Sequence, residues 1–295
     1  MDAELVARVR RFNRTVTQRV GALNDAYLAR DRPLGQCRVL WEIGPSGIEV
    51  RTLRSRLGLD SGYVSRLLRA LESDGLVAVD RGGADARVRT VRLTRAGEAE
   101  RAELDRRSDD LAAAILGPLT PGRRDRLVTA MAEVERLLLA SQVEIAVTDP
   151  RDPAARACLR AYVTELGDRF ATGFDPARSI SAADDELTPP RGLFLVATLH
   201  GDPVACGALK LHGADAELKR MWTSPDVRGL GLARRMLAEL ESQAASHGVR
   251  VLRLETNRTL TEAIALYRSA GFTEVPAFND EPYAHHWFEK RIDPA

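Results

Sequence analysis

Cysteine is scarce in this sequence, and no two cysteines lie close together. Only three occur in 295 residues, at Cys37, Cys158 and Cys206. Disulfide frameworks and zinc sites need close, repeated spacings, so neither organises this chain. We therefore predict no metal site and a cytosolic protein with reduced thiols.

Long apolar segments and targeting signals are also lacking. The longest apolar run, Gly192–Leu199, is far below the roughly 20 residues that a membrane-spanning helix needs. The residues Met1-Asp2-Ala3-Glu4-Leu5 lack the basic stretch and apolar core of a signal peptide. We expect a cytoplasmic protein without membrane contact, and its length predicts two domains at roughly 150 residues each.

Lysine is absent from the first 141 residues, where arginine supplies all the positive side-chain charge. Residues 1–141 hold 25 arginines and 20 acidic residues, a net charge of +5, whereas residues 142–295 carry −4. The 10 arginines and 5 acidic residues within residues 50–95 account for that excess. This asymmetry indicates a first part that faces nucleic acid and a second part with another task. The alternative is an arginine-rich composition that fluctuates along the chain.

The spacing of apolar residues predicts helices in the first part and a mixture of helices and strands in the second. The predicted helices of the first part are 4–28, 34–43, 50–57, 61–73, 95–116 and 121–140, and a hairpin joins strands 76–81 and 87–93. In the second part we predict helices 153–167, 230–247 and 261–270, and strands 143–147, 193–199, 203–211, 216–223, 250–256 and 284–290. The domains are predicted as 1–141 and 142–295, without a Gly/Ser linker at the seam.

The helices 50–57 and 61–73 have the proportions of a helix-turn-helix. The apolar face of the second helix leaves several polar side chains free to face outward, where they can contact phosphates and base edges. They are Ser61, Tyr63, Ser65, Arg66 and Arg69. The hairpin adds Asp85, Arg87 and Arg89; an arginine at its tip can enter a minor groove, and Asp85 can orient Arg87. For the helix pair alone, a solvated face in an unrelated bundle is the alternative.

Residues 35–97 resemble the winged helix-turn-helix of MarR-family regulators. Four segments carry the resemblance: Leu57-Gly58-Leu59-Asp60-Ser61-Gly62-Tyr63-Val64-Ser65-Arg66-Leu67, Leu71-Glu72-Ser73-Asp74-Gly75-Leu76-Val77, Asp85-Ala86-Arg87 and Leu93-Thr94-Arg95-Ala96-Gly97. It implies that the residues of the helix 61–73 named above read the major groove of double-stranded DNA, with Arg87 in the minor groove. It also implies a homodimer with intertwined terminal helices that binds a near-palindromic operator.

A glycine-rich segment follows the strand 216–223. In Arg228-Gly229-Leu230-Gly231-Leu232-Ala233, the glycines let the backbone approach a ligand, and the next helix offers free amides at its positive end. The third spaced glycine of a dinucleotide fingerprint and the Lys-Ser/Thr of a P-loop are missing. The segment therefore predicts a pyrophosphate cradle of another kind.

This segment resembles motif A of the GNAT N-acetyltransferases, and Ala263-Ile264-Ala265-Leu266-Tyr267-Arg268-Ser269-Ala270-Gly271-Phe272 resembles a later motif of the same family. The resemblance implies acetyl-CoA as cofactor, an amine or a protein lysine as acceptor, and a splay of the strand before the cradle from its neighbour. The cofactor-binding residues that it implies are Met221, Trp222, Thr223, Arg228, Gly229, Leu230, Gly231, Leu232, Ala233, Arg234 and Asn257.

Acyl transfer to an amine also needs a base for the ammonium and an acid for the departing thiolate. The resemblance implies Tyr267 as the general acid, and Glu217, at the start of the splayed strand, as the base. Core packing is the alternative for Tyr267, and an ion pair with Lys219 or Arg250 is the alternative for Glu217. Tyr283 and His285 are predicted to line the acceptor site, with routine strand alternation as the alternative.

These inferences predict a mainly α winged helix-turn-helix domain followed by an α/β (α+β) acyltransferase fold with a mixed central sheet. We expect a regulator that is also an acetyl-CoA-dependent N-acetyltransferase, located in the cytoplasm and on the nucleoid when it is bound to DNA. One alternative is a DNA-binding regulator whose second domain senses acetyl-CoA without turnover. Another is an enzyme whose first domain only dimerises.

Overall fold

The computed structural model describes residues 2–81, 89–180 and 182–293. The chain divides into two compact units, Met1–Met131 and Ala132–Ala295, with the division inside one long helix. The domain seam near Ser141 stays a prediction. Over the described ranges, no helix is both long and apolar enough to cross a membrane, and no group of side chains has the composition of a metal site.

The first unit combines helices with a small sheet. Its helices are α1 (Ala3–Arg19), α2 (Leu34–Glu42), α3 (Val50–Leu57), α4 (Ser61–Ser73), α5 (Arg95–Leu116) and α6 (Pro121–Ser141), of which α6 runs on into the second unit. The strands β1 (Ile48–Glu49), β2 (Val77–Arg81) and β3 (Arg89–Leu93) form an antiparallel sheet in the order β1-β3-β2. The hairpin that the sequence predicts is therefore present, and β1 is an addition to it.

The first helix is shorter than predicted. It ends at Arg19, and Gly21 follows with a φ of 68°, the left-handed conformation that commonly ends a helix. The prediction of a helix through residue 28 was wrong because the apolar spacing continues past this glycine. Leu23, which that spacing assigned to the helix, is 82% exposed.

Local caps fix the helix-turn-helix and the start of α5. The Asp60 carboxylate accepts a hydrogen bond from the Tyr63 N–H at 2.9 Å and so begins α4. The Thr94 hydroxyl accepts from the Gly97 N–H at 3.1 Å and donates to the Gly75 carbonyl at 2.7 Å. A Cβ atom on Gly97 would collide with the backbone of Leu76, so only glycine fits there.

Glu100 on α5 is a buried anchor of the first unit. Its carboxylate is 8% exposed and accepts hydrogen bonds from Arg30 and Arg32. The hydrogen bond from Arg30 is the largest cause that lowers the pKa of Glu100 below its ordinary value of 4.5. The folded unit therefore favours the ionised carboxylate.

We expect Glu100→Gln to lower the free energy of unfolding by roughly 2 kcal/mol at pH 7, because it leaves partly buried guanidinium groups without their anion. A carboxylate whose pKa is lowered by folding stabilises the folded state at pH values above its ordinary pKa. This stabilisation is lost as the pH falls through the lowered pKa. The difference between wild type and variant should therefore shrink in acid. Urea unfolding at pH 7 and pH 3 measures it, and an equal difference at both would contradict the role of the carboxylate.

The second unit is built on a mixed seven-stranded sheet. Its strands are β4 (Glu144–Val147), β5 (Gly192–Leu199), β6 (Asp202–His212), β7 (Asp215–Thr223), β8 (Val251–Thr256), β9 (Thr273–Val275) and β10 (His286–Arg291), in the order β4-β5-β6-β7-β8-β10-β9. Its helices are α7 (Pro153–Arg169), α8 (Leu232–Ser246) and α9 (Thr261–Ser269). Among the described strands, β7 and β8 are the one pair that runs parallel. The predicted elements of this part are present with their bounds shifted by one or two residues, and β9 is additional.

Apolar side chains cover both faces of this sheet. On one face, the strands pack against α8 and α9 through residues such as Met236, Leu240 and Phe288. On the other face, Phe194 and Cys206 pack against α7. Helices therefore pack against both faces of the central strands.

Candidate functional site

The site lies where the two parallel strands stop pairing. Residues Asp215 to Glu217 of β7 pair with Val251 to Arg253 of β8, and the pairing ends there. Beyond that point β7 stays paired with β6, and β8 stays paired with β10. A wedge therefore opens between the carboxyl halves of β7 and β8, as the splay implied by the family resemblance requires.

A bulge on β7 adds a second irregularity beside the wedge. The register with β6 shifts between Cys206 and Ala208, and Arg220 has a φ of 58°. A long side chain in this left-handed region is uncommon and strained, and such strain clusters at functional sites. The Arg220 guanidinium lies 5.6 Å from the ring centre of Tyr162 on α7. The bulge thus directs this cation to the α7 side of the sheet.

A cavity of about 520 Å³, here called the cofactor cavity, adjoins β7, α7, α8 and α9. Nine of the predicted cofactor-binding residues line it: Met221, Trp222, Thr223, Arg228, Gly229, Gly231, Leu232, Ala233 and Arg234. Gly229 and Gly231 have φ values of 85° and 72°, which only glycine adopts without strain. In the described chain no side chain caps α8, so its first-turn amides are available to an anion.

Two predicted cofactor-binding residues lie elsewhere. Among the described residues, Leu230 and Asn257 are not part of the wall of the cofactor cavity. Leu230 packs against the apolar core. Asn257 donates to the Tyr283 carbonyl at 2.7 Å and accepts from the Thr259 N–H and hydroxyl at 3.0 Å. Its amide therefore joins two loops, and its role toward the cofactor stays a prediction.

Glu165 on α7 organises one wall of the cofactor cavity. Arg228 donates to both of its oxygens at 2.6 and 2.7 Å, and the Trp222 Nε1–H donates at 2.9 Å. Burial raises the pKa of Glu165, but the hydrogen bonds from Arg228, Arg169 and Trp222 outweigh it and lower the pKa overall. The charge of Arg228 is thus neutralised locally, whereas Arg234, which donates to the Ser269 hydroxyl, and the amides of α8 remain to attract an anion. Sequence reasoning missed Glu165 because no motif marks it.

A second cavity, of about 100 Å³ and here called the acceptor cavity, opens on the α7 side of the wedge. Phe170, Phe174 and Tyr283 line it, with ring centres 4.9 to 5.8 Å apart. Tyr283 thus lines a cavity, and its predicted contact with the acceptor stays a prediction. His285 is exposed and, among the described residues, is not part of this wall. The Tyr283 hydroxyl accepts from the Asp175 N–H at 3.0 Å, which joins the two loops that cover the cavity.

A buried ion cluster forms the floor of the acceptor cavity. Lys219 is 8% exposed, and its Nζ lies 2.5 Å from a Glu255 oxygen and 2.9 Å from a Glu217 oxygen. Burial lowers the pKa of Lys219, but the charges and hydrogen bonds of Glu255 and Glu217 raise it overall. Lys219 therefore stays a cation and does not act as a base.

The two carboxylates of this cluster differ in their access to the cavity. Glu255 lines the acceptor cavity, whereas Glu217, among the described residues, lines neither cavity. The other Glu217 oxygen lies 3.4 Å from Nε2 of His212. The ion pair with Lys219, which is the alternative to a catalytic role for Glu217, is present. The role of Glu217 as a base stays a prediction. Sequence reasoning missed Glu255, although a carboxylate at the end of a splayed strand is a usable signal.

Tyr267 on α9 lines both cavities and is 6% exposed. Its ring packs against Phe272 and Phe288, and no described residue hydrogen-bonds its hydroxyl. Burial, followed by the nearby Tyr162 and Glu255, raises the pKa of Tyr267 above its ordinary value. The phenol thus keeps its proton at the junction of the cavities, where a general acid is useful.

In the first unit, α4 presents a polar face to solvent. Tyr63, Arg66 and Arg69 are exposed together with Ser61, and Ser65 is half-buried. The Arg66 guanidinium lies 5.5 Å from the ring centre of Tyr63, and Arg69 Nε donates to the Ser65 carbonyl at 3.2 Å.

The remaining predicted DNA contacts belong to the hairpin. Arg89 is exposed on β3. The predicted contacts Asp85 and Arg87 lie outside the described residues.

Comparison with known proteins gives two regions of similarity. Residues 131–272 match the family described as Acetyltransferase (GNAT), and residues 31–88 match the MarR family. The IAA acetyltransferase of Azospirillum brasilense is 36% identical over 140 residues, which are 46% of this chain and 90% of that protein. The uncharacterised N-acetyltransferase YjgM of Escherichia coli is 30% identical over 131 residues, 42% of this chain and 77% of that protein.

Among solved structures, FabT of Streptococcus pneumoniae in complex with DNA is 17% identical, with a TM-score of 0.40; the match covers 45% of this chain and 96% of FabT. The family assignment rests on the sequence matches, since the acetyltransferase relatives are at least 30% identical over most of their own length. The chain belongs to the GNAT acetyltransferase family, and a MarR-family region precedes its acetyltransferase region.

Proposed function

We propose that the second unit transfers the acetyl group of acetyl-CoA to an amine. The observation that carries this proposal is that the cofactor cavity and the acceptor cavity share Met221 and Tyr267. An acyl donor in one cavity and an amine in the other therefore meet beside the edge of β7 that no longer pairs with β8. The protonated phenol of Tyr267 lies at the same place. A binding site that only senses a cofactor needs no such second cavity.

The cofactor cavity fits the acyl donor. The uncapped start of α8 and the left-handed Gly229 and Gly231 suit a diphosphate, and the free edge of β7 suits an amide-containing arm. When bound, acetyl-CoA supplies an activated acetyl group and a thiolate as leaving group. The backbone N–H groups near Met221 would polarise the acetyl carbonyl, since preorganised donors stabilise developing negative charge.

The side chains at the junction supply the proton transfers. Glu255 holds the ammonium of the acceptor and takes its proton, because it is the carboxylate of the buried ion cluster that lines the acceptor cavity. Tyr267 donates a proton to the departing thiolate, since its raised pKa keeps it protonated. Lys219 holds the Glu255 carboxylate in place.

The decisive experiment for this function uses the purified full-length chain with acetyl-CoA and a panel of amines. Mass spectrometry should detect an acetylated amine together with free coenzyme A. Tight binding of acetyl-CoA by calorimetry, without any acetylated product across the panel, would instead support a sensor that regulates DNA binding.

We also propose that the first unit binds double-stranded DNA as a homodimer. The observation that favours this second function is the exposed set of Tyr63, Arg66 and Arg69 on α4, directly after a turn of helix-turn-helix proportions. The exposed apolar face of α1 supports a homodimer, with Val9 and Phe12 58% and 47% exposed. The operator would be near-palindromic, with half-sites about one helical turn apart.

Arg66→Ala should weaken binding to the chain's own promoter region by roughly 10- to 100-fold, because one bidentate base contact is worth that much discrimination. A gel-shift titration at fixed salt measures it, and sedimentation of the same samples gives the oligomeric state. Arg160→Gln, an exposed arginine on α7, is the matched control. Unchanged affinity of the Arg66 variant would remove α4 from the DNA interface.

A further inference from the structure

The acceptor cavity contains an arginine without an ionic partner. Arg220 lines the cavity, and among the described residues no carboxylate oxygen lies within 4.0 Å of its guanidinium. The neighbour that the structure gives it is Tyr162, through the ring and the hydroxyl, so the guanidinium has a neutral partner but, in the described chain, no anion. The strained backbone at this position, with a φ of 58°, is what brings the side chain to the cavity. A guanidinium held in this way is a receptor for a carboxylate.

The floor of the same cavity carries the opposite charge. Lys219 lies between Glu255 and Glu217, so the three groups together carry a net charge of −1. Lys219 and Arg220 are consecutive residues, so their Cα atoms are only about 3.8 Å apart. The cavity therefore presents a negative cluster and an unpaired cation side by side.

The third carboxylate of this region, that of Glu281, does not compensate the charge of Arg220. Its oxygens accept hydrogen bonds from the Ser179 hydroxyl at 2.9 Å and from the Ile180 N–H at 2.7 Å. The Tyr283 N–H also donates to it, at 3.2 Å. Glu281 thus joins the two covering loops through its hydrogen bonds. The charge of Arg220 is therefore available to a ligand.

We propose that the acceptor is an amine that carries a carboxylate on the neighbouring carbon, as in an α-amino acid. This inference rests on the proposed acetyl transfer and adds the substrate class. Glu255 takes the ammonium and Arg220 takes the carboxylate, so a zwitterion satisfies both charges of the cavity. In an α-amino acid only two bonds separate the ammonium nitrogen from the carboxylate carbon. Glu255 on β8 contacts Lys219, the neighbour of Arg220 on β7, and both Glu255 and Arg220 line this one cavity, so a single small molecule can reach both.

The apolar wall defines the rest of the acceptor. Phe170, Phe174 and Tyr283 form a cluster of rings on the side of the cavity opposite the strands. The cavity of about 100 Å³ suits a small acceptor whose apolar side chain contacts these rings. Rings of this kind favour flat apolar groups through offset or edge-on contacts.

The reaction balances with the groups present. The amino nitrogen forms a bond to the acetyl carbon, and the bond from that carbon to sulfur breaks. The ammonium nitrogen loses two protons in becoming an amide. One is released through Glu255 to solvent, and the other replaces the proton that Tyr267 gives to the coenzyme A thiolate. The carboxylate on Arg220 is unchanged, so the product is an N-acetyl amino acid.

The test compares acceptors that differ only in the carboxylate. Phenylalanine, phenylalaninamide and 2-phenylethylamine form one series, and leucine with its amide and its decarboxylated amine form another. Release of coenzyme A by the full-length chain gives kcat/KM for each. We expect the amino acid to exceed the decarboxylated amine by about 10- to 100-fold, the value of a charge-assisted bidentate contact.

Arg220→Gln should reduce this ratio toward one, and Arg220→Lys should keep part of it because the charge remains without the planar fork. Arg160→Gln serves as the control and should keep the ratio of the wild type. Calorimetric binding of acetyl-CoA to each variant shows that the fold is intact, since Arg220 is not among the residues that line the cofactor cavity.

The outcomes separate the two proposals. A ratio near one in the wild type, or a ratio that Arg220→Gln leaves intact, overturns the assignment of an amino acid acceptor while acetyl transfer stands. Absence of coenzyme A release with every amine overturns both. A preference for the decarboxylated amines overturns both the amino acid acceptor and the role of Arg220, and it identifies the acceptor as a simple amine while acetyl transfer stands.

Discussion

Replacement of Tyr267 by phenylalanine should lower kcat by about 100- to 1000-fold while acetyl-CoA binding stays close to that of the wild type. The substitution removes one hydroxyl and keeps the ring that packs against Phe272 and Phe288. Because we propose this hydroxyl as the proton donor at the junction of the two cavities, its loss should leave the thiolate without an acid. Steady-state kinetics with a saturating amine measure the effect.

The control for this variant is Tyr27→Phe, which removes the hydroxyl of a buried tyrosine in the first unit. It should leave kcat unchanged. A Tyr267→Phe protein with the kcat of the wild type would show that Tyr267 only fills the core, the alternative that its sequence context left open.

Glu255→Gln should lower kcat/KM for the acceptor by roughly 100-fold or more, because the amide neither attracts the ammonium nor takes its proton. The substitution keeps the size of the side chain beside Lys219 and Asn279. We expect the loss to appear mainly with amines that are protonated at the assay pH. A higher pH should therefore restore part of the activity, as more acceptor arrives already deprotonated.

Glu217→Gln is the matched comparison for Glu255→Gln. Both variants remove one carboxylate partner of Lys219, but only Glu255 lines the acceptor cavity. We expect Glu217→Gln to lose far less activity than Glu255→Gln. The reverse order would return the role of base to Glu217, as the sequence motif predicts, and would exclude Glu255.

Short-range patterns made much of the fold predictable. The left-handed Gly229 and Gly231, the cap of α4 by Asp60 and the cap of α5 by Thr94 are each determined by residues within a few positions. For that reason the cradle and the helix-turn-helix could be located from sequence alone. The end of α1 was mispredicted because apolar spacing and a breaking glycine gave opposite signals, and the glycine prevailed.

The chemistry of the site was less predictable because tertiary structure assembles it. Glu165 meets Arg228 from a helix 63 residues away, and Lys219 meets Glu255 across the wedge from 36 residues away. No local sequence pattern predicts the bulge on β7 that turns Arg220 toward the acceptor cavity. Tyr267 became a candidate from sequence because it belongs to a motif, whereas Glu255 became one from the structure, which places its side chain in the acceptor cavity beside Lys219.

We propose that the acetyl group passes from acetyl-CoA to the amine while both are bound. The most direct test is an initial-rate experiment in which the concentrations of acetyl-CoA and the amine are both varied. Because the two cavities meet at Met221 and Tyr267, both substrates should be bound together, and the reciprocal plots should intersect. Parallel lines, the pattern of a covalent acetyl-enzyme that forms before the amine binds, would contradict transfer within one complex.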